Sequence, residues 1–161
     1  MFFFLEIKPS SGNLLTIIPI ISTEWSIEFN FRATNAGDKT RSLLRFTNDP
    51  NADRGVHGTR VPYVKINRNT NLAFFTSLNN DTNYPYEFQP ITLNQLYHVE
   101  IHQRYISNGE YRYQVIIDGK IEHTAINKQA RQYYNVHVYV SDPLKEPFNG
   151  YVGNLKFTNF L

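Results

Sequence analysis

Residues 97–120 limit the fold more than any other stretch of the chain. Side chains alternate across a β-strand, so every second residue lies on the same face. In the first half of this stretch Tyr97, Val99 and Ile101 alternate with polar residues, and an Asn108-Gly109 pair of the kind that favours tight turns follows. The second half repeats the alternation. The stretch therefore predicts an antiparallel hairpin with one buried face, and these residues form its apolar side: Tyr97, Val99, Ile101, Tyr105, Tyr111, Tyr113, Val115 and Ile117.

The register of this hairpin follows from which faces must meet. Simple pairing around a two-residue turn at 108–109 would mix the apolar and polar faces. A slip of one residue moves every side chain of a strand to the opposite face of the sheet. Pairing Tyr105 with Tyr111 keeps the apolar faces together. We therefore expect that register, closed by an odd-length loop over residues 106–110 with Gly109 in a left-handed or bulge position. The expected partners are Ile101 with Val115 and Val99 with Ile117.

The remaining chain has the same character. Short alternating or apolar runs are separated by turn residues, and no helical period extends over two turns. We count about eleven strands, with polar loops at 48–60 and 79–84 and a polar segment at 127–132. This pattern predicts an all-β fold, a two-sheet antiparallel sandwich. The 161 residues suffice for a single domain, residues 1–161, with one core.

Composition excludes several function classes. The net charge of +2 does not favour a general nucleic-acid partner. There is no cysteine, hence no disulfide framework and no cysteine-ligated metal. No apolar run approaches the ~18 residues of a membrane span. The start, Met-Phe-Phe-Phe-Leu-Glu, lacks the basic region of a signal peptide, so a secreted protein would have been processed before this point.

Three segments resemble the laminin G-like pattern. They are Leu96-Tyr-His-Val-Glu-Ile101, Val115-Ile-Ile-Asp-Gly-Lys120 and Phe148-Asn-Gly-Tyr-Val-Gly-Asn-Leu-Lys-Phe157. The pattern has an aromatic-His-x-Val strand, a strand that ends in Asp-Gly and a closing Gly-x-Ile-x-Asn-Leu strand. Tyr97 stands where tryptophan is usual, and the cysteine pair of many members is absent. The resemblance covers about the last 65 residues and implies a concanavalin A-like jelly roll of the lectin and glucanase group.

The resemblance also implies a function. Laminin G-like domains are extracellular modules that bind glycans or proteins, sometimes with calcium. We therefore expect an extracellular or secreted, non-enzymatic, lectin-like module whose partner is a glycan. The alternative is a structural or adhesive module that binds an extracellular protein or assembles with its own copies as a homo-oligomer.

The expected ligand site lies at one end of the sandwich. In a meander the connections at 48–60, 79–84, 106–110 and 127–132 fall at the same end, and loops on a rigid scaffold are the usual place for recognition. Six basic residues between positions 41 and 68 face only two acidic ones there, which suits a sulfated or sialylated glycan. The candidate ligand-binding residues are Arg45, Asn51, Arg60, Tyr63, Asn79, Asn83 and Tyr84.

Two segments suggest metal ligands. Asp49, Asn51 and Asp53 alternate like the start of a calcium loop, but Arg54 and Arg60 stand where an EF-hand needs Gly and Glu. Calcium in a jelly-roll site is therefore the candidate cofactor, and a polar turn is the simpler interpretation. On the hairpin, His98 and His102 flank Glu100 on the polar face. Residues two positions apart on a strand are ~6.5–7 Å apart, so two side chains of this face could share a Zn²⁺ ion. A solvated face with paired charges is the simpler interpretation.

An enzymatic function is the third possibility for this chain. Related glucanases use carboxylates at alternating strand positions as nucleophile and general acid. Glu24 and Glu28 lie on the same face of a predicted strand, but Asn30 stands where the glucanase pattern requires a further acid. The chain also lacks a Gly-x-Ser-x-Gly motif, a phosphate-binding loop and a cysteine nucleophile. We therefore expect no enzymatic activity.

Overall fold

The computed structural model describes residues 2–160, with side chains from Glu6 onward. Twelve strands and no helix occur in this range. Their bounds are β1 Phe2–Ile7, β2 Leu14–Ile21, β3 Glu24–Asn35, β4 Arg41–Thr47, β5 Tyr63–Ile66, β6 Asn71–Leu78, β7 Asp81–Pro90, β8 Tyr97–Ser107, β9 Glu110–Ile117, β10 Lys120–Asn127, β11 Tyr133–Val140 and β12 Asn149–Phe160.

The strands form two six-stranded sheets. Sheet A has the order β1-β12-β3-β8-β9-β10, and sheet B has the order β2-β11-β4-β5-β6-β7. Every pair of neighbouring strands is antiparallel. The architecture is a concanavalin A-like jelly-roll sandwich, which confirms the predicted fold class. None of the described residues belongs to a helix that could cross a membrane.

The structure has one strand more than the eleven expected, and the difference lies at β7, part of which the sequence predicts as a loop. The predicted loop over residues 79–84 is wrong: only Asn79 and Asn80 form the turn, and β7 begins at Asp81. Asn83 and Tyr84 therefore lie on a strand of sheet B, where Tyr84 pairs with Thr76. β7 is polar because it is an edge strand with exposed side chains, and its prolines are tolerated at an edge. The segment at 127–132 contains no helical turn.

The central hairpin has the expected register. Ile101 lies opposite Val115, and Tyr105 lies opposite Tyr111. The expected odd-length loop is wrong, because Ser107 pairs with Glu110 around a two-residue turn whose residues Asn108 and Gly109 both have positive φ. A register shift between Tyr105 and Ser107 restores the alignment of the apolar faces.

The core lies between the two sheets. Phe46 of β4 contacts Phe157 of β12 across the sandwich, with ring centroids 5.9 Å apart. Trp25 of β3 meets Tyr113 of β9 edge to face at 6.5 Å. At one side β7 and β10 close the sandwich through His123, whose ring stacks on Tyr86 at 4.5 Å. The inward-facing alternate residues of both sheets therefore form one hydrophobic cluster.

Two isoleucines test this arrangement. Ile101 is 0% exposed in the core, whereas Ile121 of β10 is 56% exposed. Ile101→Ala should lower the free energy of unfolding by about 2–5 kcal/mol, because it removes buried methyl groups and leaves a cavity. Ile121→Ala should change it by no more than about 0.5 kcal/mol. Urea unfolding followed by tryptophan fluorescence measures both, and equal losses would contradict the assigned burial.

Candidate functional site

The outer side of sheet B carries a cluster of cations and aromatic rings. On β5, Tyr63 and Lys65 alternate with Val64 and Ile66, which belong to the core. Tyr63 is buried but is not part of the core cluster, so it faces the opposite side of the sheet. The cross-strand partners of Tyr63 are Arg45 on β4 and Phe75 on β6. We call this cluster the basic aromatic face: Arg45, Arg60, Tyr63, Lys65 and Phe75.

Three cations contact two rings on this face. The Lys65 ammonium lies 4.4 Å from the Tyr63 ring centroid and 5.0 Å from that of Phe75. The Arg60 guanidinium carbon lies 5.3 Å from Tyr63 and 4.8 Å from Phe75. Arg45 lies 5.2 Å from Tyr63. These are cation–π distances, so the rings stabilise positive charge that is partly removed from water.

Arg45 is neutralised by a buried ion pair. Its Nη1 lies 3.1 Å from Asp142 Oδ2, and both side chains are fully buried. Arg45 also donates to the backbone oxygen of Thr59 at 3.1 Å and to that of Ala52. Asp142 Oδ1 accepts the amide of Leu144 at 3.1 Å. The pair thus joins the β4–β5 and β11–β12 connections to sheet B, and we assign Arg45 a positioning role.

Removal of one partner tests how far the stability of the fold depends on the Arg45–Asp142 pair. Asp142→Asn leaves a buried guanidinium without its counter-charge, so the free energy of unfolding should fall by about 3–5 kcal/mol. The control is Glu122→Gln, which breaks the Lys120–Glu122 pair of 3.1 Å, whose lysine side chain is 77% exposed. That change should cost at most about 1 kcal/mol. Denaturant titration of the two variants gives the comparison, and a small loss at Asp142 would contradict the assigned role.

Arg60 also has a carboxylate partner. Its Nη2 lies 2.9 Å from Asp53 Oδ1, and its Nε donates to the Asp53 backbone oxygen at 2.8 Å. A further donor, Nη1, contacts Asn83 Oδ1 on β7. Burial opposes ionisation of Asp53, but Arg60 and Lys65 together lower the pKa of that carboxyl. Arg60 is therefore held in place by groups from two elements.

Lys65 is the cation without a partner. Its side chain is 7% exposed, and within residues 2–160 it makes neither a hydrogen bond nor an ion pair. Burial and the neighbouring Arg60 lower the pKa of Lys65 to about 8, although Asp53 opposes this shift. The ammonium remains charged at neutral pH, so this face holds a positive charge that the protein does not neutralise.

The lowered pKa predicts a pH-dependent stability. An unfolded lysine has a pKa of about 10.4, so between about pH 8 and 10 the unfolded chain binds more protons than the folded one. The contribution of Lys65 to stability must therefore rise with pH in this window. Lys65→Met should be more stable than the wild type near pH 7, and the difference should shrink towards about pH 9.5. Urea titrations across this range measure the difference, with the exposed position Lys120→Met as the control. A difference at Lys65 that does not change with pH would contradict the prediction.

The other candidate ligand residues lie around this face or at one end of the sandwich. Asn79 holds the turn in place: its Nδ2 donates to the Ile126 oxygen at 3.0 Å, and its Oδ1 accepts the Lys128 amide at 2.6 Å. Tyr84 Oη lies 3.1 Å from His123 Nε2. Asn51 is exposed. Their role in ligand binding stays a prediction.

Several contacts involve the connections that the sequence predicts at one end of the sandwich. Gly58 of the β4–β5 connection donates to Ser77 Oγ near the end of β6 at 3.1 Å. Lys128 of the β10–β11 connection pairs with Glu110 of the β8–β9 turn at 3.0 Å. Together with the bonds of Asn79, these contacts link the β6–β7 turn, the β8–β9 hairpin and the β10–β11 connection, and they tie the β4–β5 connection to the end of β6.

The predicted metal ligands are partly engaged by protein groups. Asp49 Oδ1 accepts the backbone amide of Asn51 at 3.0 Å, and Asp53 pairs with Arg60. Over the part of the chain that the structure describes, no group of three or more His, Cys, Asp or Glu side chains is arranged to hold a metal ion. Calcium at Asp49, Asn51 and Asp53 stays a prediction.

On the polar face of sheet A, three acidic side chains each lie beside a basic one. Glu100 lies between two imidazoles, 3.3 Å from His98 Nε2 and 3.1 Å from His102 Nε2. The acids considered for catalysis each meet a cation: Glu24 lies 3.1 Å from Arg104, and Glu28 lies 3.3 Å from Lys156. The simpler interpretation of this face agrees with these contacts.

No family model matches the chain, and no curated protein matches it either. Solved structures do. A Ruminococcus gnavus IT-sialidase CBM40 bound to α2,3-sialyllactose is 13% identical with a TM-score of 0.61, and the match covers 98% of this chain and 92% of that one. A SAP-like pentraxin from Limulus polyphemus is 13% identical with a TM-score of 0.58, over 97% of this chain and 69% of that one.

A third similar structure is larger. A botulinum neurotoxin type C, whose cell entry is described as dependent on two ganglioside molecules, is 15% identical with a TM-score of 0.56. The match covers 86% of this chain but only 33% of the toxin chain. A Trypanosoma rangeli sialidase in complex with sialic acid is matched over only 21% of its length. At these identities the likeness shows the jelly-roll fold of this chain.

Proposed function

We propose that this chain is a non-catalytic carbohydrate-binding module whose basic aromatic face binds the anionic group of a glycan. The observation that carries the proposal is Lys65, a nearly buried ammonium with no carboxylate partner within residues 2–160. A carboxylate or sulfate placed beside it would form a charge-assisted hydrogen bond, which is shorter and stronger than a neutral one. Phe75, which is partly exposed, offers an apolar surface next to that charge.

The surroundings of Lys65 support an anion in this position. Arg60 lies over the same two rings but already pairs with Asp53, and Arg45 already pairs with Asp142. The three cations of the face therefore exceed its two carboxylates by one. A ligand with a single negative charge would restore neutrality. Asn83 and the exposed Asn51 lie on the elements that border this face and could supply amide contacts to sugar hydroxyls.

The comparisons support a glycan as the source of that anion. The Ruminococcus gnavus CBM40 is bound to α2,3-sialyllactose, a saccharide that carries one carboxylate, and the neurotoxin type C structure concerns gangliosides. An extracellular location is part of the same proposal. Glu24 and Glu28, the acids considered for catalysis, each pair with a cation, and catalysis is not part of the proposal.

A glycan array followed by calorimetry tests the proposal. The wild type should bind sialylated or sulfated glycans, and Lys65→Met should weaken that binding roughly tenfold to a hundredfold, as loss of a charge-assisted hydrogen bond implies. Lys120→Met is the matched control, because it removes an exposed lysine on β10 and should leave the affinity unchanged. Repeating the array with EDTA tests the calcium prediction separately.

Retention of anionic-glycan binding by Lys65→Met would contradict the proposed site. A silent array together with a stable oligomer in light scattering would instead favour the structural alternative. One observation supports that alternative: β2 is an edge strand of sheet B, and three of its apolar side chains are exposed, namely Leu14, Ile17 and Ile20. Hydrolysis of any array glycan would overturn both readings.

A further inference from the structure

A cavity lies on the outer side of sheet A, away from the basic aromatic face. Its volume is about 390 Å³, which is within the range of small-molecule sites. Its floor is the outer side of β3, at Asn30 and Arg32. One wall comes from β12 and the other from the connection between β7 and β8. Glu6 of β1 also belongs to the lining, so four separate elements form a trough.

Backbone irregularities in both walls open this trough. The pairing of β12 with β3 shifts between Gly153 and Lys156, and Asn154 within that shift has a φ of 51°. Gly153 lies opposite Asn30 and has no side chain to fill the space. In the other wall Asn94 has a φ of 63°, and its amide donates to the Ala33 oxygen at 2.7 Å. That bond fixes the connection along β3.

Three amide side chains line the trough with hydrogen-bonding groups to spare. Asn30 Oδ1 lies 2.8 Å from His98 Nδ1, which fixes the amide and leaves its Nδ2 without a partner. The side chains of Asn94 and Asn154 make no hydrogen bond within the described residues. An amide both donates and accepts, so the three together match neighbouring hydroxyl groups.

The remaining lining is apolar or balanced in charge. Leu96 is 62% exposed, and both Leu96 and Tyr151 belong to the lining. Arg32 rests over the Tyr151 ring at 5.4 Å. Glu6 supplies one carboxylate against the one guanidinium, so the lining carries no net charge. A ligand with a ring of C–H groups and several hydroxyls fits both kinds of surface.

We propose that this trough is a second binding site, which takes an uncharged pyranose unit of a saccharide. The site goes beyond the proposed anionic-glycan function, because it lies on the other sheet and uses amides where the first uses an ammonium. Its ligand is selected by hydroxyl hydrogen bonds and apolar contact. The two sites can therefore fail or succeed independently.

Titration of the ¹⁵N-labelled full chain with neutral saccharides tests this inference. The probes are glucose, galactose, mannose, N-acetylglucosamine and lactose, each read from amide chemical shifts. At least one should shift the resonances of Leu96, Tyr151 and Gly153 in a saturable way. Asn154→Gly should weaken that binding roughly fivefold to tenfold, because it deletes one amide while glycine suits the positive φ.

Asn108→Gly is the matched control. Asn108 also has a positive φ, of 51°, but lies in the β8–β9 turn, so this variant should bind as the wild type does. The inference is overturned if none of the five saccharides shifts the trough resonances, if Asn154→Gly binds as tightly as the control, or if the shifts fall only on the basic aromatic face. Lys65→Met should leave binding at the trough unchanged, which separates this test from that of the proposed function.

Discussion

The buried ion pair between Arg45 and Asp142 determines how the outer side of sheet B is built. Charges removed from water must be compensated, and this pair ties two connections to the sheet in doing so. Arg60 is compensated in turn by Asp53. Because two carboxylates serve three cations, Lys65 keeps an uncompensated charge between two aromatic rings. The proposed ligand site is thus a consequence of how the neighbouring charges are neutralised.

The alternation of side chains lets the same strands build a core and two different surfaces. In β5, Val64 and Ile66 enter the core while Tyr63 and Lys65 form the basic aromatic face. In β3, Phe29 and Phe31 enter the core while Asn30 and Arg32 form the floor of the trough. The outer side of sheet B therefore carries nearly buried cations and aromatic rings, and the outer side of sheet A carries amides and balanced charges. The two proposed sites therefore share one core.

Alternation also explains what could be predicted from the sequence. The register of β8 and β9 followed from it, because only one alignment buries both apolar faces. The two-residue turn with its register shift could not be predicted in this way. A two-residue turn with a bulge and an odd-length loop bring the same apolar faces together. β7 was missed in part because an exposed edge strand can be as polar as a loop. Arg45 and Lys65 look alike in sequence, each a cation within an apolar strand. Their difference rests on Asp142, 97 residues beyond Arg45, and local pattern does not show that pairing.

The position of β3 in sheet A has a consequence for how the chain acquires its structure. Its two neighbours, β8 and β12, both come from the later part of the chain. Closing such long loops costs entropy before any pairing is gained, so folds of this kind form slowly. Until residues 149–160 are in place, β3 has an open edge next to the aromatic residues that will form the core. During that interval pairing between strands of different copies competes with correct closure, and dilute conditions favour the native sheet.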